Sequence, residues 1–294
     1  MSNGEWLEYA IKTPPSFDVY EEIYKEYLSE EQIPKEVAPA ISARDLFRRP
    51  KLPVTAYIPG FIYAGSLNLV AGEPKAGKST LVWHLINTIA YGDKFLGEES
   101  RKANVLYVTE QNEVSFRQET ANIPKFAENP SVYILLPENS PTGSWPQKIT
   151  FWGDKLIATN SSILVIDTFG SFANLPPGGE NDSACISERL MLLKQLYKYK
   201  PNLGIILVHH IRKPSVDPRF PAKEFADLRD ARGSTAIVGG TDWCVMLSKD
   251  SKFSTTRNIH TEGRFGPEEY RAITLTENGY IETPIKNNIA IRRY

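Results

Sequence analysis

From Ser66 onward, short apolar runs alternate with longer stretches in which apolar residues return every three or four positions. The runs are SLNLVA at 66–71, NVLYVT at 104–109, SILVID at 162–167 and LGIILVHH at 203–210, followed by TDWCVMLS at 241–248 and RAITLT at 271–276. Their length predicts strands, and their near-continuous apolar character predicts cover on both faces. KSTLVWHLINTIAYG predicts a helix with Leu81, Leu85, Ile86 and Ile89 on one face and Gly92 as its stop. A second helix is expected from about Asp182 to Tyr199, where Leu190, Leu193 and Tyr197 recur at helical spacing. Strands alternating with helices imply an α/β fold, a mostly parallel central sheet with helices on both faces. The late strands lie close together with few helical residues between them, so antiparallel strands are expected at one edge.

Residues 1–48 follow another pattern. Phe17, Tyr20, Tyr24 and Tyr27 recur at spacings of three and four, and ISARDLFRR reads as a short helix with Ser42 at its N-cap. The expected organisation is an N-terminal helical arm over 1–48 and one core over 49–294. The arm packs on its own core or reaches a neighbouring subunit.

Composition narrows the class. Thirty-four basic and 35 acidic residues leave a formal net charge of −1, so any nucleic-acid contact has to come from a local basic segment. No apolar run reaches the roughly 18 residues of a membrane span. The first twenty residues lack a basic region followed by an apolar one, so no signal peptide is expected. Cys185 and Cys244 are far apart and in no metal-like spacing, which suits a reduced cytoplasmic compartment.

The chemistry begins at GEPKAGKST, residues 72–80. Gly72, four residues, then Gly77, Lys78 and Ser79 form the P-loop pattern between a strand and a helix. Here Gly72, Glu73, Pro74, Lys75, Ala76, Gly77, Lys78, Ser79 and Thr80 are the expected cradle for the phosphates of ATP. The glycines let successive N–H groups turn inward, and the helix N-terminus adds partial positive charge. Lys78 is expected to reach the β- and γ-phosphates, and the Ser79 hydroxyl to ligate Mg²⁺. ILVIDTFG places Asp167 at the carboxyl end of a buried strand, the Walker B arrangement and the second expected Mg²⁺ ligand. VLYVTEQNE ends its strand at Glu110, the nominated general base, with Glu113 as the fallback.

A GTPase would carry a base-reading N-K-x-D-type motif, and none is visible. No Arg-rich lid marks the chain as a small-molecule kinase. The segments IPGFIYAGSLNLVAGEPKAGKST, VLYVTEQNE, ILVIDTFG, LVHHIRK and ARGSTAIVGGTDW, in that order, resemble the RecA-fold ATPases of the RepA-like replicative helicase family. The resemblance runs from about Ile58 to Leu275 and implies a RecA-like P-loop NTPase that hydrolyses ATP with Mg²⁺. It implies that Glu110 stands in the place of the catalytic glutamate and that His209 and His210 sense the γ-phosphate. By the same resemblance Arg232 is an arginine finger given in trans to the adjacent subunit, and Arg264 a second trans basic residue. A trans arginine makes hydrolysis conditional on assembly, and the family implies a homo-oligomeric ring, a hexamer.

Between the histidines and Arg232, Arg212, Lys213, Arg219, Lys223 and Arg229 lie in a proline-rich segment suited to track the backbone of single-stranded DNA. Phe225 is the aromatic placed to stack on a base. Asp217, Glu224, Asp227 and Asp230 in the same segment keep its net charge small. Two functions follow. One is a RepA-like helicase that couples ATP hydrolysis to translocation on, or remodelling of, single-stranded DNA. The other is an oligomeric ATP-dependent switch or scaffold that acts on a protein partner without unwinding.

Overall fold

The computed structural model describes residues 40–48, 54–211, 235–249 and 254–285. The chain divides into two units, Met1–Pro53 and Val54–Tyr294. In the first, a helix spans Ala43–Arg48, and the Ser42 hydroxyl accepts from the Asp45 N–H at 3.1 Å, as the N-cap reading expects. The aromatic positions Phe17 to Tyr27 lie outside the described residues.

The second unit is built on a nine-stranded sheet. Its strands are β1 (Ser66–Gly72), β2 (Val105–Thr109), β3 (Val132–Leu135), β4 (Ile163–Asp167), β5 (Gly204–His210), β6 (Trp243–Lys249), β7 (Thr256–Gly263), β8 (Glu269–Thr276) and β9 (Gly279–Thr283). They are ordered β9-β8-β7-β6-β1-β5-β4-β2-β3. From β6 to β3 every neighbouring pair is parallel, and from β6 to β9 every pair is antiparallel. A mostly parallel sheet with antiparallel strands at one edge is the expected fold.

All seven residues of β1 are buried, because the strand lies in the middle of the sheet with cover on both faces. Its one amide, Asn68, is satisfied locally: Oδ1 accepts from the Tyr63 N–H at 2.8 Å, and Nδ2 donates to the Tyr63 carbonyl at 3.0 Å. Against one face lies α1 (Lys78–Tyr91), which buries Leu81, Leu85, Ile86 and Ile89 and ends at Gly92 with φ 79°. That is the face and the stop predicted from spacing. Against the other lie α3 (Trp145–Ala158) and α4 (Ser183–Leu193), where Trp145, Trp152, Leu190 and Leu193 pack on Leu67, Leu69 and Ile166.

The predicted helix over 182–199 is α4 followed by a 3₁₀ segment, Lys194–Lys198. Asp182 caps it by accepting from the N–H groups of Ala184 and Cys185. Helix α3, α2 (Glu113–Thr120) and the strands β3, β7 and β9 were not anticipated from the pattern. No described helix is long and apolar enough to cross a membrane.

Candidate nucleotide site

Parallel strands in one sheet deliver their carboxyl ends to a single edge, and the sequence between β1 and α1 turns sharply there. The Ala76 N–H donates to the Glu73 carbonyl at 3.1 Å, closing a turn with Pro74 and Lys75 at its centre. Lys75 adopts φ 63°, as the second central residue of a type II turn requires, and its side chain is exposed at the site. Gly77, at φ 97°, caps α1 in a conformation that L side chains rarely adopt. Gly72 is needed for a different reason: a Cβ there would stand 2.5 Å from the Leu247 carbonyl oxygen of β6. The P-loop reading of GEPKAGKST therefore has its backbone geometry.

Lys78 is buried and folded back on the loop. Its Nζ donates to the carbonyls of Gly72 at 3.0 Å and Glu73 at 2.9 Å, and to Nδ1 of His210 at 2.8 Å. An ammonium only donates, so His210 accepts at Nδ1 and carries its proton on Nε2. Burial lowers the Lys78 pKa to about 8, against the opposing pull of Asp167 and Glu73. Burial and then Lys78 lower His210, while burial, His210 and Lys78 lower His209 to about 4. Both rings are neutral near pH 7, and His209 packs against the Phe169 ring with centroids 6.3 Å apart.

Asp167 ends β4, two strands from β1, and burial raises its carboxyl. Two donors oppose that rise, the Tyr107 hydroxyl at Oδ2 and the Ser79 hydroxyl. Tyr107, on neighbouring β2, in turn accepts from Nε1 of Trp83 at 2.7 Å. Trp83 is one helical turn beyond Ser79 on α1, so α1, β2 and β4 together fix the carboxylate. The peptide bond between Asp167 and Thr168 is cis. A hydroxyl and a carboxylate held together beside an ammonium are hard oxygen donors of the kind Mg²⁺ takes, and the pair fits that ion.

Glu110 leaves the end of β2, and its N–H donates to the Asp167 carbonyl at 3.1 Å. Its carboxyl is raised by loss of hydration and by Asp167, opposed by a hydrogen bond from Thr168. It is accessible from solvent. Glu113 instead pairs with Arg117 on exposed α2, at 3.3 Å.

The cleft at this edge has a volume of about 430 Å³ and is bordered by Lys75, Lys78, Ser79, Thr80, Trp83 and Glu119, with His210, Lys249 and Arg257 opposite. Tyr107, Trp83, Glu119, Lys249 and Arg257 were missed from the sequence. Lys249 follows a predicted strand whose end pairs with β1, a signal that was present. Arg257 had none, because it sits on an unanticipated strand and donates from Nε to the Ala76 carbonyl, at 2.5 Å, across 181 positions of sequence.

Arg264 is at the other end of β7, seven residues from Arg257, or roughly 23 Å at strand rise. Its guanidinium pairs with Asp242 at 3.2 Å and its side chain is 68% exposed. The structure does not bring it to the phosphate loop of its own chain. Arg232, Arg212, Lys213, Arg219, Lys223, Arg229 and Phe225 lie outside the described residues.

The phosphate loop, the Asp167 strand end and the sheet order together define a RecA-like P-loop ATPase. Residues 33–216 match the family model described as an AAA domain, AAA_25. That match spans more than half of the sequence, and the chain belongs to this family. Among solved structures, a KaiC-like protein from the hyperthermophilic archaeon Pyrococcus horikoshii OT3 shares the fold. The superposition has a TM-score of 0.52 at 16% identity and covers 80% of this chain and 100% of that one. No curated protein matches the chain.

Proposed function

We propose that the chain is a Mg²⁺-dependent ATP hydrolase of the RepA-like helicase type. It assembles head to tail into a ring, a hexamer by family resemblance, and couples hydrolysis to movement on single-stranded DNA. The observation that carries the hydrolase part is the convergence at one sheet edge. The Lys78 ammonium and the Ser79 hydroxyl come from the start of α1, and the Asp167 and accessible Glu110 carboxylates from the ends of β4 and β2.

Each group has a defined task. Lys78 exchanges its carbonyl acceptors for phosphate oxygens, a stronger charge-assisted bond. Ser79 and Asp167 would hold Mg²⁺, which when bound would neutralise charge on the nucleotide's phosphates. Glu110, its carboxyl raised by loss of hydration and by Asp167, takes the proton of the attacking water. His210, bonded to Lys78, follows any movement of that ammonium toward the γ-phosphate, so nucleotide state is passed to the end of β5.

The exposed position of Arg264, remote from its own phosphate loop, supports a trans role at a neighbour's site. Arg232 serves there as the finger that stabilises charge on the transferred phosphoryl group. The basic residues from Arg212 to Arg229 contact DNA. The deciding experiment measures ATPase rate against protein concentration, with and without single-stranded DNA at low salt. The expected result is a specific activity that rises with concentration and several-fold again with DNA. A flat response to DNA removes the helicase reading in favour of a switch acting on a protein.

A further inference from the structure

Lys249 and Arg257 stand directly opposite each other in the β6–β7 ladder, and both border the cleft of the phosphate loop. Like charges placed directly opposite in an antiparallel pair destabilise the sheet. An intervening carboxylate is the ordinary relief. The ion pairs among the described residues include neither of these side chains. A sheet that keeps such a repulsion at the mouth of an anion site is arranged for a charge that arrives from solution.

The local geometry favours the same conclusion. Arg257 is anchored by Nε to the Ala76 carbonyl, and by Nη1 to the carbonyls of Ser254 at 2.7 Å and Thr256 at 3.0 Å. These bonds fix the plane of the guanidinium beside Gly77, where a Cβ would approach Nε to 3.0 Å and Nη2 to 3.4 Å. A planar cation held in one orientation against a phosphate loop is preorganised for phosphate oxygens. Burial lowers Arg257, opposed by Tyr280, and loss of hydration and then Arg257 lower Lys249, so the neighbouring charge is felt at the lysine.

We propose that Lys249 and Arg257 form an anion clamp in cis, which binds the polyphosphate of the nucleotide seated in the same chain's phosphate loop. The inference rests on the nucleotide reading given above and adds a binding element from the antiparallel edge of the sheet. It differs in kind from the trans arginines. Those act on turnover in an assembly, whereas the clamp acts on the affinity of an isolated protomer for ADP and ATP alike.

Lys249→Glu separates the clamp from a structural role, because it turns a repelling cross-strand pair into an attracting one. On dilute protein, thermal unfolding without nucleotide is expected to show an unchanged or raised Tm. Titration with fluorescent ADP and ATP analogues is expected to show a Kd about tenfold higher, the share of one charge-assisted contact. Lys249→Gln, which removes the charge without adding a carboxylate, is expected to weaken binding in the same direction. Wild-type affinity in both variants overturns the clamp, as does weakened binding that is matched by a lowered Tm in both. A wild-type protein that binds neither nucleotide overturns the nucleotide reading itself, and the clamp with it.

Discussion

Tyr107→Phe removes one oxygen from a buried polar chain that runs from Trp83 through Tyr107 to Asp167. The phenol accepts from the Trp83 indole at 2.7 Å and donates to Asp167, and all three side chains are buried. Deleting the hydroxyl leaves the indole N–H without its acceptor, a cost of about 1–3 kcal/mol. It also takes a donor from a carboxylate already raised by burial, for about 1.5–3 kcal/mol more. Little volume is lost, so the cavity contribution is small. The expected destabilisation is about 3–5 kcal/mol, or a Tm lower by roughly 6–20 °C in a domain of this size.

Trp83→Phe alone costs about 1 kcal/mol for the lost hydrogen bond, since Tyr107 keeps its bond to Asp167, and about 1–2 kcal/mol more for the space left by the buried indole. The double variant removes the stranded indole donor together with the hydroxyl. Its cost therefore falls short of the sum of the singles by about 1 kcal/mol or more. The assay is thermal unfolding followed by circular dichroism on all four proteins without nucleotide. A Tyr107→Phe Tm within about 2 °C of wild type, or costs additive to within about 0.5 kcal/mol, refutes the coupled chain.

Lys78→Ala is expected to abolish hydrolysis and to weaken ATP binding at least about tenfold, read by nucleotide titration and phosphate release. Gly77→Ala places a Cβ at φ 97° and against Arg257. It is expected to lower stability by about 1 kcal/mol or more and to weaken nucleotide binding, which parallel melting and titration check. Arg232→Ala is expected to bind ATP normally yet lose turnover, so normal hydrolysis by that variant removes the trans assignment. His84 is lowered from 6.5 to about 4 by burial. Its contribution to stability is complete above pH 6.5 and is lost as pH falls toward 4, at most about 3 kcal/mol. Melting across that window should show a loss that His84→Gln reduces, and identical pH profiles for the two proteins would contradict it.

Much of this molecule follows from local rules. The strand ends carrying Glu110 and Asp167 are legible because a parallel, doubly covered strand must be apolar throughout, and its first polar residue marks the sheet edge. The loop before α1 is legible because glycine spacing encodes backbone geometry directly. Strands β7 and β9 were not legible. TRNIHTEG and GYIET expose part of one face and mix charge with apolar residues, so neither shows a continuous run or a clean alternation. Helix α3 was hidden for a related reason. WPQKITFWGDKLIA opens on Trp-Pro and contains Gly153, although its capping box at Ser144 and Gln147 is a recognisable start.

By itself, then, the sequence determined the fold class, the phosphate loop and the strand-end carboxylates, since each depends on neighbours a few positions away. The tertiary structure alone decided how they are served. The Trp83–Tyr107–Asp167 chain and the Lys249–Arg257 pair on the loop join residues that only the order of strands in the sheet brings together. Side-chain hydrogen bonds and cross-strand charges depend on that register, and a linear pattern does not contain it.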